Sequence, residues 1–153
     1  MAKKPKNKNT VSYWKGEVWK VFSKYIRKRD ACEIGSETHA KCCTCGKLYA
    51  ISGVGCIQAG HFVPGRHNSY LFDEECVHAQ CYHDNVGLKG NFVPYEDFML
   101  KKYGQETVDR LKDLYRRKPI TKFTIPQLKE MYKEYEKKID ELELCDVVEE
   151  LAF

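Results

Sequence analysis

Cys42-Cys43-Thr44-Cys45-Gly46 sets two thiols at CxxC spacing and follows them with glycine. This is the pattern of a zinc knuckle, in which the backbone N–H groups of a tight turn face the sulfurs of a bound metal. A tetrahedral site needs a second pair of donors, and Cys81 is its anchor downstream. The fourth corner has three candidates: Asp84 by position, His83 beside it, and Cys76 by the softness of its sulfur. Position favours Asp84. Cys43 adjoins Cys42 too closely to share one tetrahedron and reads as a spectator thiol, while Cys56 reads as the filler of a small apolar site. Cys32 and His39 have no partner at ligand spacing and read as non-ligands.

Between the two half-sites stands Ala59-Gly60-His61-Phe62, a histidine on an apolar run from Ile57 to Val63. An isolated histidine on such a run is usually a satisfied core residue. Its place between zinc half-sites, just ahead of Gly65-Arg66-His67-Asn68, raises a catalytic reading above that one. A neutral imidazole can take a proton from water as the water attacks phosphorus, because histidine titrates near working pH. A single divalent cation, Mg²⁺ or Mn²⁺, would stabilise the charge on the leaving oxygen. Arg66 and His67 are placed in sequence to contact the phosphate; Asn85 offers that cation a carbonyl oxygen, and His61 is a second candidate ligand. His78 and Gln80 alternate along a second short run and so share a face, either as ligands or as braces for the loop.

The elements that must position these groups are readable in outline. Cys42 to Asn91 holds six of the eight cysteines and four of the five histidines, so chemistry is concentrated in about a third of the chain. A knuckle, a strand with His61, a loop, a second strand and a helix beginning near Asn85 make the ββα-metal layout of HNH nucleases. Before it, Trp14, Val18, Val21, Phe22 and Tyr25 recur at helical steps from Ser12 to Arg29, with lysines interleaved. The two tryptophans of that helix read as core anchors, and residues 31–41 read as a loop leading to the knuckle. After it come a short helix with Pro94 in its first turn and Gly104 as its stop, and a second helix from Gln105 to Arg117 ended by Pro119. Thr124 and Gln127 then form a capping-box start for a helix of about 20 residues, whose stripe of Leu128, Met131, Tyr132, Tyr135, Ile139 and Leu142 clamps the zinc core and the first helix or forms a homodimer seam.

Charge is polarised. Residues 1–30 carry ten Lys/Arg against two acids, while 140–153 carry six acids and no base. The basic beginning suits a polyanion-binding face. Residues 1–9, with four lysines, read as a disordered arm, followed by a single domain over 10–153 with its core at 42–91 and its C-terminal helices at 94–144. Clustered CxxC cysteines after the polar opening MAKKPKNKNT favour reduced thiols and metal over disulfides, hence an intracellular, soluble protein with no membrane span.

The runs WKVFSKYIRKRDA, KCCTCG, AGHFVPGRHN, LFDEECVHAQCYHDNVGLKGNFVPY and FMLKKYGQETVDRL together resemble the phage recombination protein NinG family, from about Trp14 to Leu142. The resemblance implies an HNH-like, structure-directed DNA endonuclease acting on branched recombination intermediates in the bacterial host cytoplasm, with a structural zinc and a catalytic divalent cation. It carries Cys42, Cys45 and Cys81 onto zinc positions, His61 onto the motif histidine and Asn85 onto the asparagine after the last ligand. There are departures: Cys76 stands where relatives usually have Asn, Asp84 where they have Cys, and Gly60 where HNH enzymes have an acidic metal ligand. Asp73, Glu74 or Glu75 are the candidates to supply the missing carboxylate.

The expected architecture is therefore α+β, a zinc-stapled ββα-metal core of HNH-like, treble-clef type wrapped by N- and C-terminal helices. The competing functions are a non-catalytic zinc module that binds branched or duplex DNA, and a protein-interaction module using the long C-terminal helix.

Overall fold

The computed structural model describes residues 6–151, with side chains through residue 143. Residues 1–5 of the expected arm and residues 152–153 lie outside what is described, as do the side chains of residues 144–151 in the acidic C-terminal stretch; residues 6–9 are exposed. The chain is a mixture of helices and two small sheets. In order these are α1 (Val11–Cys32), β1 (His39–Lys41), β2 (Leu48–Ala50), β3 (Gln58–His61), β4 (Val77–Gln80), a π-helical turn (His83–Gly87), α2 (Phe92–Tyr103), α3 (Gln105–Arg117) and α4 (Ile125–Leu151).

Helix α1 starts where Thr10 Oγ1 accepts the Tyr13 N–H at 3.1 Å, satisfying one of the donors a helix start leaves free. It buries Val18, Val21, Phe22 and Ile26 along one stripe. Helix α4 covers that stripe: Phe22 meets Tyr135 edge-on at 5.0 Å between ring centroids, and Trp14 meets Tyr132 at 6.2 Å. The expected capping box forms, with Gln127 Oε1 accepting the Thr124 N–H at 2.9 Å and Thr124 Oγ1 accepting the Gln127 N–H at 3.4 Å. The apolar stripe of α4 is spent on α1 and on Glu74, which accepts from Tyr135 Oη at 3.1 Å. It does not reach over the knuckle, whose small core of Ala31, Ala40, Cys42, Ile51, Ile57, Ala79 and Cys81 is a separate cluster.

Strands β1 and β2 pair antiparallel with His39 opposite Ala50, so residues 31–41 are not the plain loop that their weak periodicity suggested. Three-residue strands are too short to show a period. Strands β3 and β4 pair antiparallel with Gln58 opposite Gln80 and His61 opposite Val77. The C-terminal end of α1 is latched onto β4. Arg29 donates to the carbonyls of Glu74 at 2.8 Å and Val77 at 2.9 Å, and the Asp30 carboxylate accepts the Ala79 N–H at 2.7 Å. His78, fully buried, completes the latch through Tyr103 Oη at 2.9 Å, so it is a brace. This latch fixes the register of α1 along β3 and brings Trp19 against His61.

The segment carrying Asn85 is a π turn of 5 residues, closed by the Leu88 N–H on the His83 carbonyl at 2.8 Å, where the start of a helix was expected. Gly90 and Asn91 then turn the chain into α2 with positive φ at both. Among the described residues no helix is long and apolar enough to cross a membrane.

Candidate metal centre and adjoining cleft

The knuckle is the turn between β1 and β2. Cys42 follows β1 directly, Cys45 lies three residues on, and Gly46 at φ +75° closes the turn in the left-handed region that glycine adopts without strain. Cys42 Sγ accepts the Cys45 N–H at 3.5 Å and the Cys81 N–H at 3.3 Å, and lies 3.2 Å from Thr44 Oγ1, whose own proton goes to Asp84. Burial opposes ionisation of Cys42, yet these contacts outweigh it and hold its thiol below the ordinary value.

Cys81 follows β4 and Asp84 sits in the π turn, so two segments close on the knuckle. One donor atom from each of Cys42, Cys45, Cys81 and Asp84 lies within 4.8 Å of every other, and the Cys45 and Cys81 sulfurs are 4.0 Å apart. Zinc at ~2.3 Å from each sulfur needs neighbouring sulfurs about 3.8 Å apart. The donor set therefore fits a metal such as zinc. Burial, with the neighbouring Cys42, pushes the Cys81 thiol up to about 11, and a bound dication would reverse that by favouring the thiolate. Asp84 is buried but held below the usual carboxylate range by Thr44 Oγ1 at 2.6 Å, His83 Nδ1 at 2.9 Å and Asn91 Nδ2 at 3.2 Å.

Of the three candidates for the fourth corner, the structure brings Asp84 into range. Cys76 is fully buried in the α1/α4 core, where burial drives its thiol up to about 12, and it is outside the group. His83 stays outside too, its side chain 75% exposed, and serves Asp84 as a hydrogen-bond donor. Cys43 is spectator to the group, as expected.

Next to the knuckle, an open cleft of about 670 Å³ is lined by Trp19, Arg27, Gln58, His61, Arg66 and Asn85, among others. His61 ends β3 with its Nε2 at 3.1 Å from the Leu71 carbonyl. A carbonyl only accepts, so Nε2 carries the proton and Nδ1 the lone pair. Burial, helped by the positive charge of Arg66, pulls the His61 pKa down to about 4, so the ring is neutral at physiological pH.

Trp19 packs against the core as expected, 5.7 Å from the Phe22 ring, but it is only partly buried and its exposed part lines the cleft. It stacks on His61 at 5.2 Å and 14° between ring planes, and the Arg66 guanidinium lies 4.3 Å from its ring centroid. Nothing in the periodicity marks this second role, because it depends on where α1 crosses β3. His67, expected on the phosphate, does not line the cleft: its Nδ1 is tied to Ser69 Oγ at 2.8 Å and to the Ser69 N–H at 3.2 Å, so it braces the loop.

Asn85 donates its amide to Gln58 Oε1 at 2.8 Å, which leaves its own Oδ1 as an acceptor. Gln80 donates to the Gly90 carbonyl at 2.8 Å and to Thr44 Oγ1 at 3.3 Å, and its Oε1 is buried without a hydrogen bond among the described residues. Gly60 faces both oxygens. A Cβ there would stand 2.3 Å from Gln80 Oε1 and 3.1 Å from Asn85 Oδ1, so the strand admits only glycine unless Gln80 gives way. Two amide oxygens are the donor class a hard cation takes, but no carboxylate joins them. The expected substitutes are engaged elsewhere: Asp73 pairs with Arg110 at 2.7 Å, Glu74 holds Tyr25, Tyr135 and Lys138, and Glu75 pairs with Thr107 and Arg110.

Comparison with known proteins places the chain clearly. Residues 1–144 match the family model described as the Bacteriophage Lambda NinG protein. Curated relatives include Protein ninG of Escherichia phage lambda, 30% identical over 132 residues, which are 86% of this chain and 58% of that protein. Protein ninG of Escherichia phage 933W is 28% identical over 132 residues, or 86% of this chain and 59% of that one. This chain thus spans less than two thirds of the length of these relatives. No solved structure matches.

Proposed function

The chain belongs to the NinG family, and from that premise we propose that it is a metal-dependent DNA endonuclease of the HNH-like, ββα-metal type, acting on branched recombination intermediates such as Holliday junctions and D-loops. The observation that carries the reading is the state of His61. Its proton is held on Nε2 by the Leu71 carbonyl, and Nδ1 is left as a neutral base beside the Arg66 guanidinium. In this role Nδ1 takes a proton from the attacking water, and Arg66 pairs with the non-bridging oxygens of the phosphate. Trp19 keeps ring and guanidinium in fixed relation.

A nitrogen that acts as base is not at the same time a metal ligand, so His61 is assigned the base and Asn85 Oδ1, with Gln80 Oε1, the cation. When bound there, Mg²⁺ or Mn²⁺ would stabilise the charge that develops on the phosphate and the leaving oxygen. The remaining ligands would have to come from substrate phosphate and water, since magnesium commonly keeps few protein ligands. Cys42, Cys45, Cys81 and Asp84 would hold a structural zinc, which would tie the knuckle to the end of β4 and to the π turn that carries Asn85.

The lack of a carboxylate in the cleft favours one alternative, a zinc module that binds branched DNA without cutting it. One experiment separates the two. Labelled four-way junction, D-loop and linear duplex are incubated with Mg²⁺ or Mn²⁺ and either wild type or His61→Ala at equal zinc content. Cation-dependent cutting of branched substrate that the variant loses supports the nuclease. Binding by both proteins with cutting by neither, under any cation, leaves the binding module.

A further inference from the structure

A second cleft, of about 450 Å³, adjoins the first, and the two share Trp19 and Arg66. Both run along one face of α1, where Ser12, Lys15, Trp19, Ser23 and Arg27 recur at three- and four-residue steps. Among the described residues no aspartate or glutamate lines either cleft. Lys15 stands toward one end, Arg27 and Lys89 toward the other, and Arg66 at the junction. The opposite flank of α1 is different: the cavity there mixes Lys20 and Lys24 with Glu17, Glu136 and Asp140. The acid-free charge is therefore local to this face.

We propose that the two clefts are one groove that binds the phosphodiester backbone of a single nucleic-acid strand along α1. The inference rests on the nuclease reading only in that the strand passes His61; the groove itself is argued from charge and shape. From Lys15 to Arg27 the helix rises about 18 Å at ~1.5 Å per residue, close to the rise of five nucleotides of one strand at ~3.4 Å each. Recognition is of phosphate and not of base. The one aromatic ring at the junction, Trp19, is already engaged by His61 and Arg66, and the flanking groups are lysine, arginine and serine. Binding is accordingly insensitive to sequence and steeply dependent on salt.

The test uses the full zinc-loaded chain without added Mg²⁺ or Mn²⁺, and follows the anisotropy of fluorescein-labelled 20-nucleotide DNA, single-stranded and duplex, from 50 to 300 mM salt. Lys15→Gln keeps a good helix former, and Lys89→Asn suits the positive φ of 52° at that position. Each is expected to weaken binding about fivefold at 0.15 M salt and to lower the slope of log K against log salt by about one, as loss of one phosphate contact requires. Lys133→Gln, exposed on α4 away from the groove, is expected to change neither. Equal thermal midpoints of the variants show that folding is not the cause.

The proposal is overturned if Lys15→Gln and Lys89→Asn bind as wild type does, if Lys133→Gln loses as much as they do, or if wild type binds no DNA. Cleavage by wild type with groove variants that bind normally would sink the groove and leave the nuclease standing. Weakened binding by the groove variants, with no cutting by wild type, would do the reverse.

Discussion

The knuckle and the cleft lie side by side but are built on opposite principles. At the knuckle, three sulfurs and a carboxylate converge from two segments, and hydrogen-bond donors meet both Cys42 and Asp84. These are donors that carry negative charge once a metal binds, so the protein itself can balance a dication there. In the cleft the ionisable groups are a neutral imidazole and a guanidinium, and the oxygens are uncharged amides. There the negative charge must come from outside. A site that holds its ion alone supports folding, whereas a site completed by a polyanion engages its cation only with substrate. On the proposed function, stability belongs to one region and turnover to the other.

Removing the knuckle's metal should produce the largest effect. Structural zinc in small zinc-binding peptides contributes about 10–16 kcal/mol of apparent binding energy, which exceeds the roughly 5–15 kcal/mol total stability of most domains. Cys81→Ser, or chelation of the wild type, is expected to abolish cooperative unfolding of the knuckle half and to lower the thermal midpoint by tens of degrees. A chelated protein that melts where the loaded one does would remove the structural role from this region.

The cleft should respond in the opposite sense. His61→Ala is expected to reduce cleavage about 10²- to 10⁴-fold, the usual contribution of a general base, while zinc content stays unchanged. Its thermal midpoint falls far less than that of Cys81→Ser. Should His61→Ala lose its zinc as well, the two regions would be one cooperative unit and their division of labour would fail.

How much of this was legible in the chain differs between the same two regions. The knuckle is local: CxxC spacing, a following glycine and Cys81 mark three donors in the sequence, and the fourth stays open among Asp84, His83 and Cys76, with position favouring Asp84. Asp84 in place of Cys76 was decided by sequence position, and the folded chain agrees because Cys76 points into the α1/α4 core. The helices were legible for the same reason, as their periods run over many residues. The cleft is made by contacts distant in sequence. Trp19 reaches His61 across 42 positions only because Arg29 and Asp30 latch α1 to β4. Position alone put His67 on the phosphate, although a serine two residues on captures its ring. The orphaned Gln80 oxygen and the glycine it enforces belong to packing that no spacing announces.

Gly60 offers a smaller, sharper test, because Gln80 spans the two regions. Its amide reaches Thr44 Oγ1 at 3.3 Å, and that hydroxyl donates to Asp84 at 2.6 Å. A methyl group at position 60 must displace Gln80, which is fully buried and cannot move without breaking its bonds to Thr44 and Gly90. Gly60→Ala is expected to cost about 1–3 kcal/mol, the usual range for overpacking a core. On a Gln80→Ala background the same change should cost clearly less, a non-additivity read from the midpoints of four proteins in denaturant. Additive costs would mean that Gln80 is not the obstacle.

The smallest effect concerns pH, and its direction follows from His61. Burial lowers its folded pKa to about 4, so the neutral form that can accept a proton is present above that value and is lost as pH falls through it. If Nδ1 is the base, cleavage should stay flat from neutral pH down to about 5 and decline below, with no inflection near 6.5, where an exposed imidazole titrates. The folded ring resists the proton that the unfolded ring accepts, so this residue lowers stability progressively between about pH 6.5 and 4. Zinc release also occurs in acid, as thiolates recover their protons, and would mimic the decline. Measuring bound zinc at each pH separates the regions. Activity that falls while zinc is retained belongs to the cleft, and a rate that inflects near 6.5 with zinc fully bound would mean that His61 is open to solvent when it works, so that the enclosure by Trp19 and Arg66 is not part of the active arrangement.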